Sequence, residues 1–167
     1  EVKSEISNDI PFIIMSYLNP IYVYSIKKFA KSCKESIIDG CIVVDNNNNA
    51  PEDKEIFEEL TKINVAYIKL IAPTNDENYI KRALKKCTSW IYVVSYAGIT
   101  GSKQVNLDNV KKSIKLIRKN SKIPIGVGFG VKTAQDIKNV TKLADAAICG
   151  STIVSKIDEG LKKSLQG

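Results

Sequence analysis

Two glycine turns in the last third of the chain carry the most chemistry. Gly128-Phe129-Gly130 and Gly150-Ser151 each close a short hydrophobic run, and each sits just ahead of a predicted helix. Glycine at such a turn lets backbone approach a ligand closely, and the unpaired N–H groups of a helix's first turn favour an anion. Two such turns ending consecutive strands predict the two jaws of a phosphate clamp. Gly128-Phe129-Gly130 does not continue into the six-residue dinucleotide fingerprint, and it lies late in the chain rather than in a first β/α turn. A third loop, Ser95 to Ser102, is long and rich in small residues, with Gly98 and Gly101 placed to let it close over a ligand. A plain surface loop reads equally well there.

Much other chemistry is excluded by composition. The chain has no histidine, which removes the commonest zinc ligand and the commonest general base. Cys33, Cys41, Cys87 and Cys149 show no CxxC spacing, so no metal site is expected, and Cys41 and Cys149 lie inside apolar runs as buried, inert side chains. This usage points to a reducing compartment.

The turns need elements to position them. Short β-branched runs predict strands at Phe12–Met15, Gly40–Val44, Ala66–Ile71, Trp90–Val94, Pro124–Val127 and Ala146–Cys149. Helical patterns over Ile21–Ile37, Glu52–Ile63, Asn78–Lys86, Leu107–Asn120, Thr133–Leu143 and Thr152–Leu165 alternate with them. Nearly continuous apolar strands alternating with helices predict an α/β fold with a buried parallel sheet and right-handed crossovers. Six such units fit a doubly wound open sheet or most of an eight-unit barrel, and in either the ligand sits at the carboxyl ends of the strands. Phosphate sites after the last two strands recur in barrels. At 167 residues the chain is expected to form a single domain. The run Asn46–Asn49 after the second strand predicts a mobile polar loop.

The formal net charge is +7. Lys111, Lys112, Lys115, Arg118 and Lys119 fall on one side of a predicted helix whose other side carries Val110, Ile114 and Ile117, the pattern of a solvated face rather than a nucleic-acid patch. The positive field would attract an anionic substrate. No apolar run approaches the ~20 residues that span a bilayer, so neither nucleic acid nor membrane is an expected partner.

Read in order, the strand-end residues resemble the tryptophan synthase α subunit family. The resemblance runs from Pro11 almost to the C-terminus and is carried by Met15-Ser16-Tyr17-Leu18-Asn19-Pro20-Ile21, Ile42-Val43-Val44-Asp45, Ile71-Ala72-Pro73-Thr74, Tyr92-Val93-Val94-Ser95, Gly98-Ile99-Thr100-Gly101, Gly128-Phe129-Gly130-Val131 and Ile148-Cys149-Gly150-Ser151. It implies a TIM-type (β/α)₈ barrel of which six of eight units are present. It also implies a lyase that cleaves indole-3-glycerol phosphate to indole and glyceraldehyde 3-phosphate by a retro-aldol reaction in tryptophan biosynthesis, beside a β-subunit partner and with no cofactor of its own. By resemblance Gly101, Gly128, Gly130, Gly150 and Ser151 hold the substrate phosphate. Tyr92, Phe129, Met15, Ile42, Ile71 and Ile148 line the indole pocket, although ordinary barrel core explains Met15, Ile42 and Ile71 as well. Thr100 sits on the closing loop, and Asp45 with the segment Tyr17 to Pro20 lies toward the β-subunit face.

The resemblance begins at the family's third strand. The glutamate and aspartate that act as acid and base belong to the two preceding units, so no catalytic residue is expected in this chain, which reads as part of a longer protein. A non-catalytic module that binds a phosphate ligand or regulates a β subunit is the alternative. Another phosphate-binding barrel enzyme fits the Gly98–Gly101 loop less well. The asparagine run after Asp45 departs from the family's usual Leu-Pro and bears on partner docking. Abundant Lys, Asn and Ile suggest an AT-rich genome, hence a cytoplasmic protein or one of an algal plastid stroma.

Overall fold

A computed structural model describes residues 10–94, 107–128 and 130–164. The elements in chain order are β1 (Ile13–Ser16), α1 (Leu18–Tyr24), α2 (Ile26–Glu35), β2 (Gly40–Val43), α3 (Pro51–Lys62), β3 (Ala66–Ile71), α4 (Glu77–Lys86) and β4 (Ile91–Val94). They are followed by α5 (Leu107–Asn120), β5 (Ile125–Gly128), α6 (Ala134–Thr141), β6 (Ala146–Ile148) and α7 (Ser151–Ser164). All six strands thus fall within a residue or two of their predicted places. The elements pack as two compact units, one reaching to Leu70 and including Asn75–Ile91, the other holding Ile71–Thr74 and the chain from Tyr92 onward.

In the first unit β1, β2 and β3 are parallel neighbours, with Met15 opposite Ile42 and Ile42 opposite Ile68. Strand alternation turns Cys41, Val43 and Tyr67 to the other face, where they pack with Ile26, Ala30 and Cys33 of α2 and Ile56 and Leu60 of α3. Burial pushes the Cys41 thiol up to about 12, so it behaves as a small hydrophobe. Asp39 joins the two strand starts: its carboxylate accepts the Phe12 N–H at 2.7 Å, and its own N–H donates to the Phe12 carbonyl.

The helix predicted over Ile21–Ile37 is two helices. Ser25 breaks it with φ 83°, in the left-handed region that disfavours a side chain. The reason lies in packing. In a continuous helix Ile21 and Ile26 would point about 140° apart, whereas the break buries both, at 2% and 5% exposure.

In the second unit β4, β5 and β6 follow one another in the sheet, and β5 pairs with β6 in parallel. Val110, Ile114 and Ile117 of α5 are buried while Lys111, Lys112, Lys115, Arg118 and Lys119 are exposed, as the amphipathic pattern predicts. Asp145 repeats the Asp39 arrangement: its carboxylate accepts the Ile125 N–H at 2.7 Å, its N–H donates to the Ile125 carbonyl, and Arg118 pairs with the same carboxylate. Cys149, expected buried, is half-buried.

Large apolar side chains remain exposed on each unit, Ile10, Ile13, Met15 and Tyr17 around β1, and Ile153, Val154, Ile157 and Leu161 along α7. Among the described residues no helix is long and apolar enough to cross a membrane.

The left-handed backbone at Ser25 generates a prediction. Ser25→Gly should raise the urea midpoint and Ser25→Val should lower it, because a β-branched residue is strained there and glycine is not. Equal midpoints would show that the break carries no strain.

Candidate functional site

Parallel pairing places the two glycine turns on one edge. The β5–β6 register sets Gly128 opposite Ile148, so Gly130 and Gly150 each fall two residues beyond the last paired position. The Thr152 hydroxyl donates to the Val131 carbonyl at 3.1 Å and so ties one turn to the other. Gly130 has φ 74°, a conformation that favours glycine. Above Gly150 the space is open: a Cβ there would meet nothing within 4 Å.

The two helices that follow differ at their starts. Thr133 and Asp136 form a capping box on α6, and the Asp136 carboxylate also accepts the Lys132 N–H, so that terminus is satisfied from within. Those hydrogen bonds hold the Asp136 carboxyl below its ordinary value. Helix α7 begins at Ser151 with no acidic residue in its first turn, and its ladder starts with the Ile153 and Val154 N–H groups donating to the Gly150 carbonyl. The N–H groups just ahead of that ladder point outward from the helix start, where the dipole favours negative charge.

Tyr92 on β4 lies against the first of these turns. A Cβ built on Gly128 would come 2.5 Å from the Tyr92 phenolic oxygen and 2.7 Å from a ring carbon, so glycine is what lets the ring cross the strand. Burial pushes the Tyr92 phenol above its ordinary value. Gly128, Gly130, Gly150, Ser151, Tyr92 and Ile148 therefore belong to one compact unit, together with Ile71, which ends β3 fully buried. Met15 and Ile42 are register partners in the other unit, Met15 at 52% exposure and Ile42 at 4%. Thr100, Gly101 and Phe129 lie outside the described residues.

The first unit holds a polar cluster that sequence reasoning missed. Asp53, in the first turn of α3, is fully buried. One of its carboxylate oxygens accepts from Lys69 Nζ at 2.5 Å, Tyr67 OH at 2.7 Å and Asn46 Nδ2 at 3.0 Å, and the other accepts from Lys86 Nζ at 2.5 Å. Lys69, with 3% exposure, also lies 4.4 Å from the centre of the Tyr67 ring. Lys86 reaches past Asp53 to donate to the Asn48 carbonyl at 3.0 Å. The asparagine run predicted as a mobile loop alternates instead, with Asn46 and Asn48 buried and Asp45, Asn47 and Asn49 exposed. The signal was there in Ala66–Ile71, where one lysine interrupts an apolar strand; a lysine so placed needs a buried acid.

Charge decides how this cluster titrates. Burial alone would raise the Asp53 carboxyl, but hydrogen bonds from Lys69 and Lys86 hold it below its ordinary value. Burial draws Lys69 down, against the pull of the Asp53 carboxylate. Asp45, the acid at the end of β2, accepts the Leu18 N–H at 2.7 Å and so joins two strand-end loops. A cleft of about 300 Å³, lined by Thr61, Asn64, Val65, Ala66, Thr88 and Ser89, opens at the amino end of β3, away from the strand ends. Among the described residues no three His, Cys, Asp or Glu side chains converge as metal ligands.

Comparison with known proteins adds a family. Residues 1–167 match the family model described as tryptophan synthase alpha chain. The tryptophan synthase alpha chain of Methanocaldococcus jannaschii is 35% identical over 163 residues, which cover 98% of this chain and 57% of that protein. The tryptophan synthase alpha subunit of Campylobacter jejuni superposes with a TM-score of 0.76 at 32% identity, over 90% of this chain and 60% of its own. A structure of the tryptophan synthase α2β2 complex from Pyrococcus furiosus gives a TM-score of 0.77 at 27% identity, over 89% and 60%. The chain thus spans less than two thirds of the length of these relatives.

Two predictions follow from the geometry. Gly128→Ala should cost about 1–3 kcal/mol in urea unfolding, because the added methyl displaces the Tyr92 ring, while Gly150→Ala should cost far less; equal losses would mean that Tyr92 does not depend on the glycine. The stability that Asp53 contributes is complete above the ordinary carboxyl value of about 3.9 and is lost as pH falls through its lower folded value. Asp53→Asn should therefore cost about 3–5 kcal/mol at pH 7 and flatten the acid limb of the stability profile. An unchanged limb would remove Asp53 from the account.

Proposed function

The chain belongs to the tryptophan synthase alpha chain family, a TIM-barrel family of tryptophan biosynthesis, and from that premise we propose that it supplies the phosphate clamp and the indole-facing wall of an indole-3-glycerol phosphate lyase. The observation that carries this reading is the pair of glycine turns set two residues past paired strand ends and tied by the Thr152–Val131 hydrogen bond. A helix start with no acidic residue in its first turn, open space over Gly150 and the dipole of α7 suit a phosphate dianion. Tyr92 offers a flat apolar face with a polar tip, which suits an indole ring whose N–H needs a partner. Gly101 and Thr100 would complete the clamp and the closing loop, and Phe129, Ile148, Ile71, Ile42 and Met15 the apolar wall.

Retro-aldol cleavage breaks the bond between the indole ring and the glycerol side chain. One proton must reach the ring carbon that is released, and another must leave the glycerol hydroxyl that becomes the aldehyde. The Asp45 carboxylate is engaged by the Leu18 N–H and is not placed for either task. Acid and base therefore come from the remaining two β/α units of the barrel, which would also cover the apolar side chains exposed around β1 and along α7. The P. furiosus relative is described in an α2β2 complex, and we extend that to a β-chain partner that receives indole here. We assign the reaction to the cytoplasm, or to the plastid stroma for an algal chain.

Calorimetry with indolepropanol phosphate tests the clamp. The chain should bind it, and Ser151→Tyr or Gly130→Val should weaken binding by roughly a hundredfold or more, a loss of about 3 kcal/mol; unchanged affinity would sink the clamp assignment. The chain alone should not cleave indole-3-glycerol phosphate, and cleavage should appear when a polypeptide bearing the two remaining units is added. Turnover by the chain alone would place acid and base within it and refute that division of labour.

A further inference from the structure

Four buried polar atoms around the Asp53 cluster lack hydrogen-bond partners among the described residues: Asn46 Oδ1, both amide atoms of Asn48, and Arg82 Nε. Burying such atoms unsatisfied is costly, so several of them in one place point to a group that supplies the partners. These four do lie in one place. Lys86 Nζ donates to the Asn48 carbonyl at 3.0 Å, and the Asn48 side chain lies beside the Tyr79 phenol, which also feels the Arg82 charge. Tyr79, Arg82 and Lys86 are spaced i, i+3 and i+7 on α4, so Arg82 falls between the two points where Asn48 meets that helix. Asn46, two residues back, gives its amide nitrogen to Asp53 and Tyr67, which leaves its oxygen unpartnered.

Charge decides the sign of the ligand. The Asp53 carboxylate already meets two ammonium groups, Lys69 and Lys86, each at 2.5 Å, and the Arg82 guanidinium adds a third cation beside them. Neighbouring acids are engaged elsewhere. Asp76 accepts the Tyr79 N–H at the start of α4, Glu77 pairs with Lys81, and Asp45 accepts the Leu18 N–H. Buried charge needs a counter-charge, so the site favours an anion. The Lys86 side chain is 22% exposed and marks the way in from solvent.

We propose that Asn48 and Arg82 form a binding site for a small planar oxyanion that keeps one O–H, of which hydrogen carbonate is the chemical type. Whichever way round it sits, a primary amide offers one donor edge and one acceptor edge side by side. The HO–C–O edge of hydrogen carbonate pairs with it through two hydrogen bonds: the ligand O–H donates to Asn48 Oδ1, and a ligand oxygen accepts from Asn48 Nδ2. The remaining oxygen accepts from Arg82 Nε in a charge-assisted bond. Nitrate has the same shape and charge but no O–H, so it leaves Asn48 Oδ1 unpaired. Asn46 and Asn48 are 4% and 3% exposed, which restricts the ligand to a few atoms. Bound there, the anion ties the loop after β2 to α4. The site belongs to the first unit and does not rest on the phosphate clamp proposed above.

Amide chemical-shift mapping of the full chain tests this, with sodium hydrogen carbonate and sodium nitrate titrated separately at constant pH and ionic strength. Hydrogen carbonate should give saturable shifts at Asn46 to Asn48 and at Tyr79 to Arg82, and nitrate should bind there at least about tenfold more weakly. Asn48→Leu and Arg82→Gln should each weaken hydrogen carbonate binding by about tenfold or more, whereas Lys81→Gln, on the exposed side of α4, should leave it unchanged. Equal binding of the two anions would overturn the proposal, because the O–H would then contribute nothing. Absence of saturable shifts at these residues would overturn it as well, as would unchanged affinity in both variants. An equal loss in Lys81→Gln would do the same, since the general charge of α4 would then account for binding. The comparison with nitrate is made on the unsubstituted chain, so it decides the matter even where a variant fails to fold.

Discussion

The register between β5 and β6 is the constraint on which the proposed ligand site depends. Parallel strands carry their carboxyl ends to the same edge, and a slip of one residue would turn every side chain to the opposite face. Asp145 prevents the slip at the other end of the pair by engaging the Ile125 N–H and carbonyl together, and the ion pair with Arg118 holds its carboxylate in place. Everything distal follows: Gly128 opposite Ile148, the glycines two residues beyond, and the Thr152 hydroxyl bridging the turns. A clamp built from backbone N–H groups has no side chains to adjust, so its precision is that of the sheet.

Glycine is used for two different reasons within three residues. At Gly128 the absent side chain makes room for the Tyr92 ring, and at Gly130 it permits a positive φ. A flat aromatic side chain is thereby brought beside the backbone proposed to hold the phosphate, which is the pairing of surfaces that a phosphorylated indole would require. In the other unit the limiting quantity is charge rather than space. Two ammonium groups converge on one carboxylate, and the surplus is tolerated because Lys86 also donates to the Asn48 carbonyl and stays partly in solvent. Burying charge costs stability relative to an apolar core, so a cluster of this kind is better understood by what it orders than by what it adds to stability.

Much of this was legible in the sequence, and the rest failed for identifiable reasons. Continuous apolar runs and helical periodicity located all six strands, and the glycine turns were visible because glycine at a strand end has few other uses. The Ser25 break was invisible: no glycine or proline marks it, and only the need to bury both Ile21 and Ile26 explains it. The asparagine run was misread because composition reports polarity and not partners; Asn46 and Asn48 are buried by Tyr67, Asp53 and Lys86, which lie 7 to 38 residues away along the chain. Asp53 looked like an ordinary acid at a helix start, and only a lysine inside an apolar strand hinted otherwise. Long-range electrostatics leaves no periodic trace.

The central claim is that the backbone beyond β5 and β6 binds the phosphate. It is tested most directly by amide chemical-shift mapping of the full chain during titration with inorganic phosphate. The account predicts saturable shifts concentrated at the amides of Gly130, Gly150, Ser151 and Thr152. Saturable shifts confined to the cleft around Asn64 and Thr88, or no saturable shift at the glycine turns, would contradict it.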